Sequence, residues 1–197
     1  MKVKMVAMMA AMACMAGVAH ANLLVNGGFE DEGSASGTAS NWSGNYAYAD
    51  WAAMSGADGV FCGAGNASVT IYQENISIFE SEVYAGGMYF HSLNGYTNQA
   101  TSLSINWFNS SFGALGGTVS TSFVCTADMP WNYYAVTGAA PASAAYATFT
   151  VTALNNTQAS GALAMDDADF LAVPEPASAL LFGLSSLGFI VWKRLRK

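Results

Sequence analysis

The chain has 197 residues, of which 53% are hydrophobic and only 10% are charged, and its formal net charge is −7. All six Lys and Arg residues lie at the two ends. Between Asn22 and Val173 there are twelve Asp and Glu residues (thirteen in the chain, less Glu175) and no Lys or Arg. This stretch therefore excludes salt bridges with Lys or Arg. It also argues against nucleic-acid binding, because phosphates must be neutralised by cations.

Residues 1–21 have the pattern of a signal peptide. Two lysines are followed by an apolar stretch, Val6–Val18, and by Ala19-His20-Ala21, a cleavage site of the small-x-small type. We expect the mature chain to begin at Asn22. The alternative is a lipoprotein cysteine at Cys14, but Ala11 stands where such signals usually carry leucine.

Residues 22–172 are predicted to form one all-β domain. Short stretches in which apolar and polar residues alternate are separated by Gly, Asn, Ser and Pro, the pattern of strands joined by turns. The segment 31–59 is predicted as loops with one or two short strands. About eight strands in such a domain predict a β-sandwich, with the jelly roll as its form. The predicted strands are 23–25, 68–73, 87–92, 103–107, 119–125, 131–136, 145–153 and 161–171.

Two cysteines, Cys62 and Cys125, remain after the predicted cleavage. In an exported protein an even pair indicates a disulfide. Closing a loop of this length stabilises a fold by about 3–4 kcal/mol in the chain-entropy model. The alternative is two buried free thiols.

The C-terminal end has three parts. Pro174-Glu175-Pro176 forbids helix on its N-terminal side, an uncharged stretch 177–192 follows, and a basic cluster with Arg194 and Arg196 ends the chain. Sixteen helical residues span only about 24 Å, against about 30 Å for the hydrocarbon core. We therefore predict a single transmembrane helix of marginal length, whose basic end stays cytoplasmic.

This tail, residues 173–197, resembles the PEP-CTERM sorting signal of Gram-negative bacteria. The resemblance implies recognition by an exosortase and cleavage near Pro174-Glu175-Pro176. It also implies export through the inner membrane, followed by release or transfer to the cell surface or extracellular matrix. The alternative is an ordinary single-pass anchor.

Three segments resemble galactose-binding-domain-like carbohydrate-binding modules: Asn22–Glu30, Val83–Phe90 and Ala164–Phe170. The resemblance implies a jelly roll whose first and last strands are neighbours, and which often holds a structural Ca²⁺ between them. The expected ligands are Glu30, Asp166 and Asp167, with Asp31 or Glu32 as further candidates.

Asp166 has the parity of inward-facing residues, and no Lys or Arg is available to pair with it. It must therefore bind a metal, accept several backbone N–H bonds, or be protonated. Oxygen ligands without nearby cations suit Ca²⁺. The alternative is that Asp166 caps the N-terminal turn while the other carboxylates are solvated.

Sugar binding uses exposed aromatic rings. We expect Trp107 and Trp131 to belong to the core. The predicted glycan contacts are Trp42, Tyr46, Tyr48, Trp51 and Tyr134.

No arrangement of catalytic residues stands out. His91 is the single histidine of residues 22–172, and no Gly-x-Ser-x-Gly sequence occurs. The predicted function is a non-catalytic surface or matrix protein that binds exopolysaccharide. The alternatives are a structural or adhesive protein without a glycan site, and a polysaccharide hydrolase.

Overall fold

The computed structural model describes residues 21–33, 37–63, 65, 68–98, 100–154 and 160–174. Within these residues no helix has both the length and the apolar character needed to cross a membrane. The predicted signal peptide and transmembrane helix lie outside the described residues. Residues Asn22–Ala172 form one compact unit.

The described residues form ten strands. They are β1 (Ser43–Gly44), β2 (Ala47–Ala49), β3 (Gly59–Gly63), β4 (Ser68–Ser77), β5 (Val83–Leu93), β6 (Ala100–Phe108), β7 (Ala114–Phe123), β8 (Asn132–Ala139), β9 (Tyr146–Leu154) and β10 (Ala162–Val173). A single turn of 3-10 helix, Asp50–Ala52, joins β2 to β3. The predicted loops of segment 31–59 thus contain two short strands.

The strands form two five-stranded sheets, which pack face to face as a β-sandwich. The first sheet has the order β1-β4-β9-β6-β7 and the second has the order β2-β3-β10-β5-β8. The pairs β4–β9, β6–β9 and β6–β7 are antiparallel in the first sheet, as is β5–β8 in the second. The predicted all-β class is confirmed.

The core lies between the sheets because alternate residues of each strand point inward. In β9, Ala147, Phe149, Val151 and Ala153 are buried, as their spacing predicts. Burial of each large apolar side chain contributes about 1.5–3 kcal/mol. The largest fully buried side chains are Trp107, Tyr84, Tyr96, Phe29, Phe90, Phe149, Phe170, Ile71, Met88, Leu103, Ile105 and Leu163.

Two strands carry irregularities that break the alternation. In β4 the register shifts between Gln73 and Ile76, and Asn75 there has a φ of 59°. In β10 the core positions change parity after Met165 and resume at Ala168. Asp167 has a φ of 49° at this point. Such bulges commonly redirect side chains at functional sites.

The opening segment 23–25 does not form the strand that its sequence predicts. Leu24 is buried in the core, but the backbone of Val25 pairs with a side chain. The Val25 N–H donates to Gln73 Oε1 over 2.8 Å, and Gln73 Nε2 donates back to the Val25 carbonyl over 2.8 Å. The side-chain amide of Gln73 thus binds both backbone groups of Val25, which a neighbouring strand would bind in a β-sheet.

The predicted disulfide is not formed. Cys62 and Cys125 are both buried free thiols. Cys62 Sγ lies 3.1 Å from the Tyr96 hydroxyl, and Cys125 Sγ lies 3.4 Å from Thr101 Oγ1. Each sulfur is therefore engaged by a hydroxyl group, which corresponds to the alternative of two buried thiols.

Candidate functional site

Trp42 belongs to the core, which corrects its prediction as a glycan platform. Only 6% of its surface is exposed, and its ring lies 4.9 Å from that of Phe29. Its Nε1 donates to the Asn26 carbonyl over 2.9 Å. Both the ring face and the polar edge of Trp42 are therefore occupied by the protein.

Tyr46 and Tyr48 are half-buried beside the core. The Tyr46 hydroxyl accepts from the Ala39 N–H over 3.0 Å, which leaves it little capacity for a ligand. Burial raises the pKa of Tyr48 to about 12, and a hydrogen bond from its hydroxyl to Asp58 adds to the shift. Both tyrosines pack against the core beside β2.

Trp51 is the predicted glycan residue that is well exposed. It lies in the 3-10 turn with 49% of its surface accessible, and its ring packs 4.4 Å from Phe61 of β3. It therefore sits beside the second sheet, and its role in glycan binding remains a prediction.

Tyr134 points toward the core, and its neighbour Tyr133 points outward, so the predicted faces of β8 are reversed. The Tyr134 ring stacks on Phe123 with centroids 3.6 Å apart. Tyr133 is 42% exposed, and its hydroxyl donates to Asp169 over 2.8 Å. Trp131, expected in the core, is only half-buried and packs edge to face on His91.

A surface pocket lies on the outer face of the first sheet, where the sequence predicts no site. We call it the Glu74 groove. It has a volume of about 270 Å³ and is lined by Glu74, Asn75, Phe108, Phe112 and Thr148. The β4 bulge creates it, because two residues of β4, Glu74 and Asn75, occupy the space opposite Thr148.

An exposed aromatic ring forms one wall of the Glu74 groove. Phe112 is 57% exposed and stacks on Tyr146, with centroids 4.7 Å apart and planes within 14°. It occupies the turn between β6 and β7, where Asn109 Oδ1 accepts from the Ser111 and Gly113 N–H groups over 3.0 and 2.8 Å. Its φ of 60° lies in the left-handed region, which is unusual for a bulky residue.

The groove opens onto a surface rich in hydroxyl groups. Ser and Thr side chains occupy alternate positions on the outer face of β9, β6 and β7, and they face one another across the strands. Glu74 is the single charged residue of the first sheet's strands. The aligned hydroxyl residues are Thr150, Ser104 and Ser120 in one row and Thr152, Ser102 and Ser122 in the next.

Beside the second sheet, the loop Met54–Ala57 is hydrogen-bonded to the predicted calcium ligands. Asp166 is completely buried, and its Oδ2 accepts from the N–H groups of Met54 and Ser55 over 2.7 and 3.0 Å. Its Oδ1 accepts from the Asp167 N–H over 2.7 Å. Burial raises the pKa of Asp166 to about 6, although these bonds oppose the shift. Backbone N–H groups thus provide the hydrogen bonds that the buried carboxylate needs, which is one of the three alternatives predicted from the sequence.

Glu30 and Asp167 converge beside this loop, as predicted for the two ends of the domain. Glu30 Oε2 accepts from the Ala57 N–H over 2.7 Å, and Asp167 Oδ1 accepts from Ser55 Oγ over 2.9 Å. A Cβ added to Gly28 would lie 3.5 Å from Asp167 Oδ1 and 4.0 Å from Glu30 Oε1, so both carboxylates border one space. In the described part of the chain, no three His, Cys, Asp or Glu side chains are grouped to hold a metal ion. A cation here would need backbone carbonyls as further ligands.

Comparison with known proteins identifies the C-terminal end. Residues 172–197 match the model of the PEP-CTERM protein-sorting motif. The chain therefore carries this motif, which implies export to the surface or the outside of a bacterial cell. No curated protein matches the chain by sequence.

Solved structures with the same fold include carbohydrate-binding modules. A family 16 module aligns with a TM-score of 0.58 and 15% identity, over 76% of this chain and 99% of that chain. The module TmCBM61, solved with β-1,4-galactotriose, aligns with a TM-score of 0.56 and 21% identity, over 78% and 99% of the two chains. These similarities confirm the fold of the carbohydrate-binding modules that the sequence resembles.

The same fold also occurs in enzymes. The enzymatically active domain of tailspike protein 4 of bacteriophage CBA120 aligns with a TM-score of 0.55 and 15% identity. The alignment covers 77% of this chain but only 21% of the tailspike chain. The fold alone therefore does not decide between binding and catalysis.

Proposed function

We propose that this protein is an exported surface or matrix protein whose β-sandwich binds exopolysaccharide in the Glu74 groove, without catalysis. One observation carries the proposal. The exposed ring of Phe112, stacked on Tyr146, stands in a pocket beside the carboxylate of Glu74 and the amide of Asn75.

This combination suits a sugar ring chemically. A pyranose has an apolar face that packs on an aromatic ring and a rim of hydroxyl groups that need hydrogen-bond partners. Phe112 supplies the apolar surface, while Glu74, Asn75 and Thr148 supply acceptors and donors. The adjoining rows of Ser and Thr offer further hydrogen bonds to a longer chain.

The lining of the groove supports binding over hydrolysis. Glycoside hydrolysis generally uses two carboxyl groups that flank the scissile bond. Of the residues that line the Glu74 groove, one is a carboxylate. A reducing-end assay should therefore detect no new ends after prolonged incubation with any glycan that binds.

The sorting signal completes the proposal. An exosortase of a Gram-negative host recognises Pro174-Glu175-Pro176 together with the uncharged stretch 177–192 and the cluster that contains Arg194 and Arg196. Strand β10 ends at Val173, directly before Pro174. Cleavage there would release the sandwich or transfer it to the cell surface, with the glycan-binding groove intact.

We also propose that Ca²⁺ binds between Glu30 and Asp167, beside Gly28. Each residue keeps one carboxylate oxygen that no described group engages, Glu30 Oε1 and Asp167 Oδ2. Asp166 is then the anchor of the Met54–Ala57 loop and not a ligand, because amide donors already engage both of its oxygens. The ion would tie the opening segment to the last strand.

Two single substitutions test the site. The full-length chain, held in a sugar-free zwitterionic detergent, is titrated with exopolysaccharide oligomers by calorimetry. Phe112→Ala should weaken binding by about five- to tenfold, since stacking on one ring contributes on the order of 1–1.5 kcal/mol.

Trp51→Ala is the matched control, because it removes a similarly exposed aromatic ring near the other sheet. It should leave the affinity unchanged. If Trp51→Ala abolishes binding and Phe112→Ala does not, the glycan binds near the second sheet and the proposal of the Glu74 groove is wrong.

A further inference from the structure

The carboxylate of Glu74 has no partner among the described residues. Its side chain is exposed at the β4 bulge, and it accepts no hydrogen bond and forms no ion pair with any described residue. Two pockets share it, the Glu74 groove and a neighbouring pocket of about 330 Å³ that also contains Gln73 and Asn41. The carboxylate is therefore available to a ligand from either side.

The charge of the whole domain points in the same direction. Twelve carboxylates and no Lys or Arg stand between Asn22 and Val173, so no protein cation in this stretch competes for Glu74. The summed negative field attracts cations and repels anions approaching the surface. Polymers rich in uronate or sulfate would meet no positive group in the groove.

The aromatic wall adds a second attraction for cations. The face of an aromatic ring carries negative electrostatic potential, and cations bind over it. In the Glu74 groove this face belongs to Phe112, which lines the same pocket as the carboxylate. An ammonium group on a sugar ring would thus meet the carboxylate of Glu74 and the ring of Phe112 together.

We infer that the preferred ligand of the Glu74 groove is an amino-sugar polysaccharide with free ammonium groups, such as a de-N-acetylated hexosamine polymer. This inference rests on the proposed function and names its substrate class. The ammonium pairs with Glu74 in a charge-assisted hydrogen bond, while Asn75 and Thr148 bind ring hydroxyls. Selectivity for the ammonium then comes mainly from the carboxylate of Glu74, with a smaller contribution from the ring of Phe112.

Three hexamers with one backbone isolate the ammonium group. Oligomers of β-1,4-linked glucosamine, N-acetylglucosamine and glucose differ only at C2, which carries an ammonium, an acetamide or a hydroxyl group. They are titrated into the full-length chain in the sugar-free detergent, at low and at high salt. The glucosamine hexamer should bind about tenfold more tightly than the glucose hexamer at low salt, and the difference should shrink as salt screens the charges.

Two charge-neutralising variants separate a local contact from the general field. Glu74→Gln should remove most of the preference, so that the glucosamine and glucose hexamers bind with nearly equal affinity. Asp50→Asn removes the same charge at a remote exposed position and should keep the preference. A preference that is equal in wild type and Glu74→Gln would overturn the inference.

The failures of the two proposals are distinguishable. If the glucose and glucosamine hexamers bind equally well and Phe112→Ala weakens both, the groove binds glycans but the inferred substrate class is wrong. If the wild-type chain binds none of the hexamers, and none of the exopolysaccharide oligomers either, the proposed function itself fails, and the inference fails with it.

Discussion

The side chain of Asn22 is hydrogen-bonded to the backbone of Phe170, near the end of the last strand. Asn22 Oδ1 accepts from the Phe170 N–H over 2.9 Å, and Asn22 Nδ2 donates to the Ala168 carbonyl over 2.9 Å. Asn22 is the predicted first residue of the mature chain, and Phe170 lies four residues before Pro174. The two predicted processing sites therefore border the same part of the sandwich.

Replacing Asn22 with alanine should loosen the end of β10. The N–H groups of Phe170 and Leu24 would lose their acceptor, which should lower the free energy of unfolding by about 1–3 kcal/mol. Hydrogen exchange at the Phe170 amide should accelerate. Asn132→Ala, which removes one hydrogen bond to Pro130, is the control, and it should leave exchange at Phe170 unchanged. Equal exchange at Phe170 in wild type and Asn22→Ala would show that the hydrogen bonds of Asn22 do not stabilise the end of β10.

Asp166 should stabilise the fold as the anchor of the Met54–Ala57 loop. Asp166→Ala leaves three backbone N–H groups without their acceptor, so we expect a loss of about 2–4 kcal/mol in chemical denaturation. Asp50→Ala removes an exposed carboxylate with one local bond and should cost less than about 0.5 kcal/mol. If both variants unfold at the same denaturant concentration, the loop does not depend on Asp166.

Calcium should raise the melting temperature if it binds between Glu30 and Asp167. Binding to the folded state at a hundred times its dissociation constant contributes about 2.7 kcal/mol. EDTA should reverse the shift, and Asp167→Ala should remove the response to both reagents. Asp128→Ala, a carboxylate that binds the Gly95 N–H elsewhere, should keep it. If neither calcium nor EDTA changes the melting temperature of the wild type, the proposed calcium site is wrong.

The two cysteines should be present as thiols that do not react in the folded protein. Burial raises the pKa of Cys62, and it raises the pKa of Cys125 to about 11, so at pH 8 the reactive thiolate is scarce and inaccessible. Mass spectrometry should find no alkylation of the native chain by iodoacetamide. Denaturation without reductant should then yield two modified cysteines. If the denatured chain is alkylated only after reduction, Cys62 and Cys125 form a disulfide and the prediction of free thiols is wrong.

The alternation of the sequence was sufficient to predict the sandwich. In β9, buried residues recur at every second position because one face packs on the other sheet and one faces water. The same rule could not tell which face of β8 is buried. Tyr133 and Tyr134 have identical side chains, and it is the packing of Tyr134 on Phe123 that makes Tyr134 point inward.

The candidate site was harder to predict than the fold. Trp42 and Phe112 both lie in irregular segments, and yet one is buried against Phe29 and the other is exposed. That difference arises from contacts between residues far apart in sequence. The convergence of Glu30 with Asp167 was predicted from the family resemblance, whereas the loop amides that bind Asp166 carry no sequence signal.

The proposed glycan site lies on the outer face of the first sheet, and NMR can locate it in the full-length chain. Backbone amide shifts are measured while an oligomer that binds is titrated in. We expect the largest shifts at Glu74, Asn75, Phe112 and Thr148, with little change at Trp51 or Tyr133. Shifts confined to Trp51, Phe61 and Tyr133 would contradict the proposal and place the glycan on the second sheet.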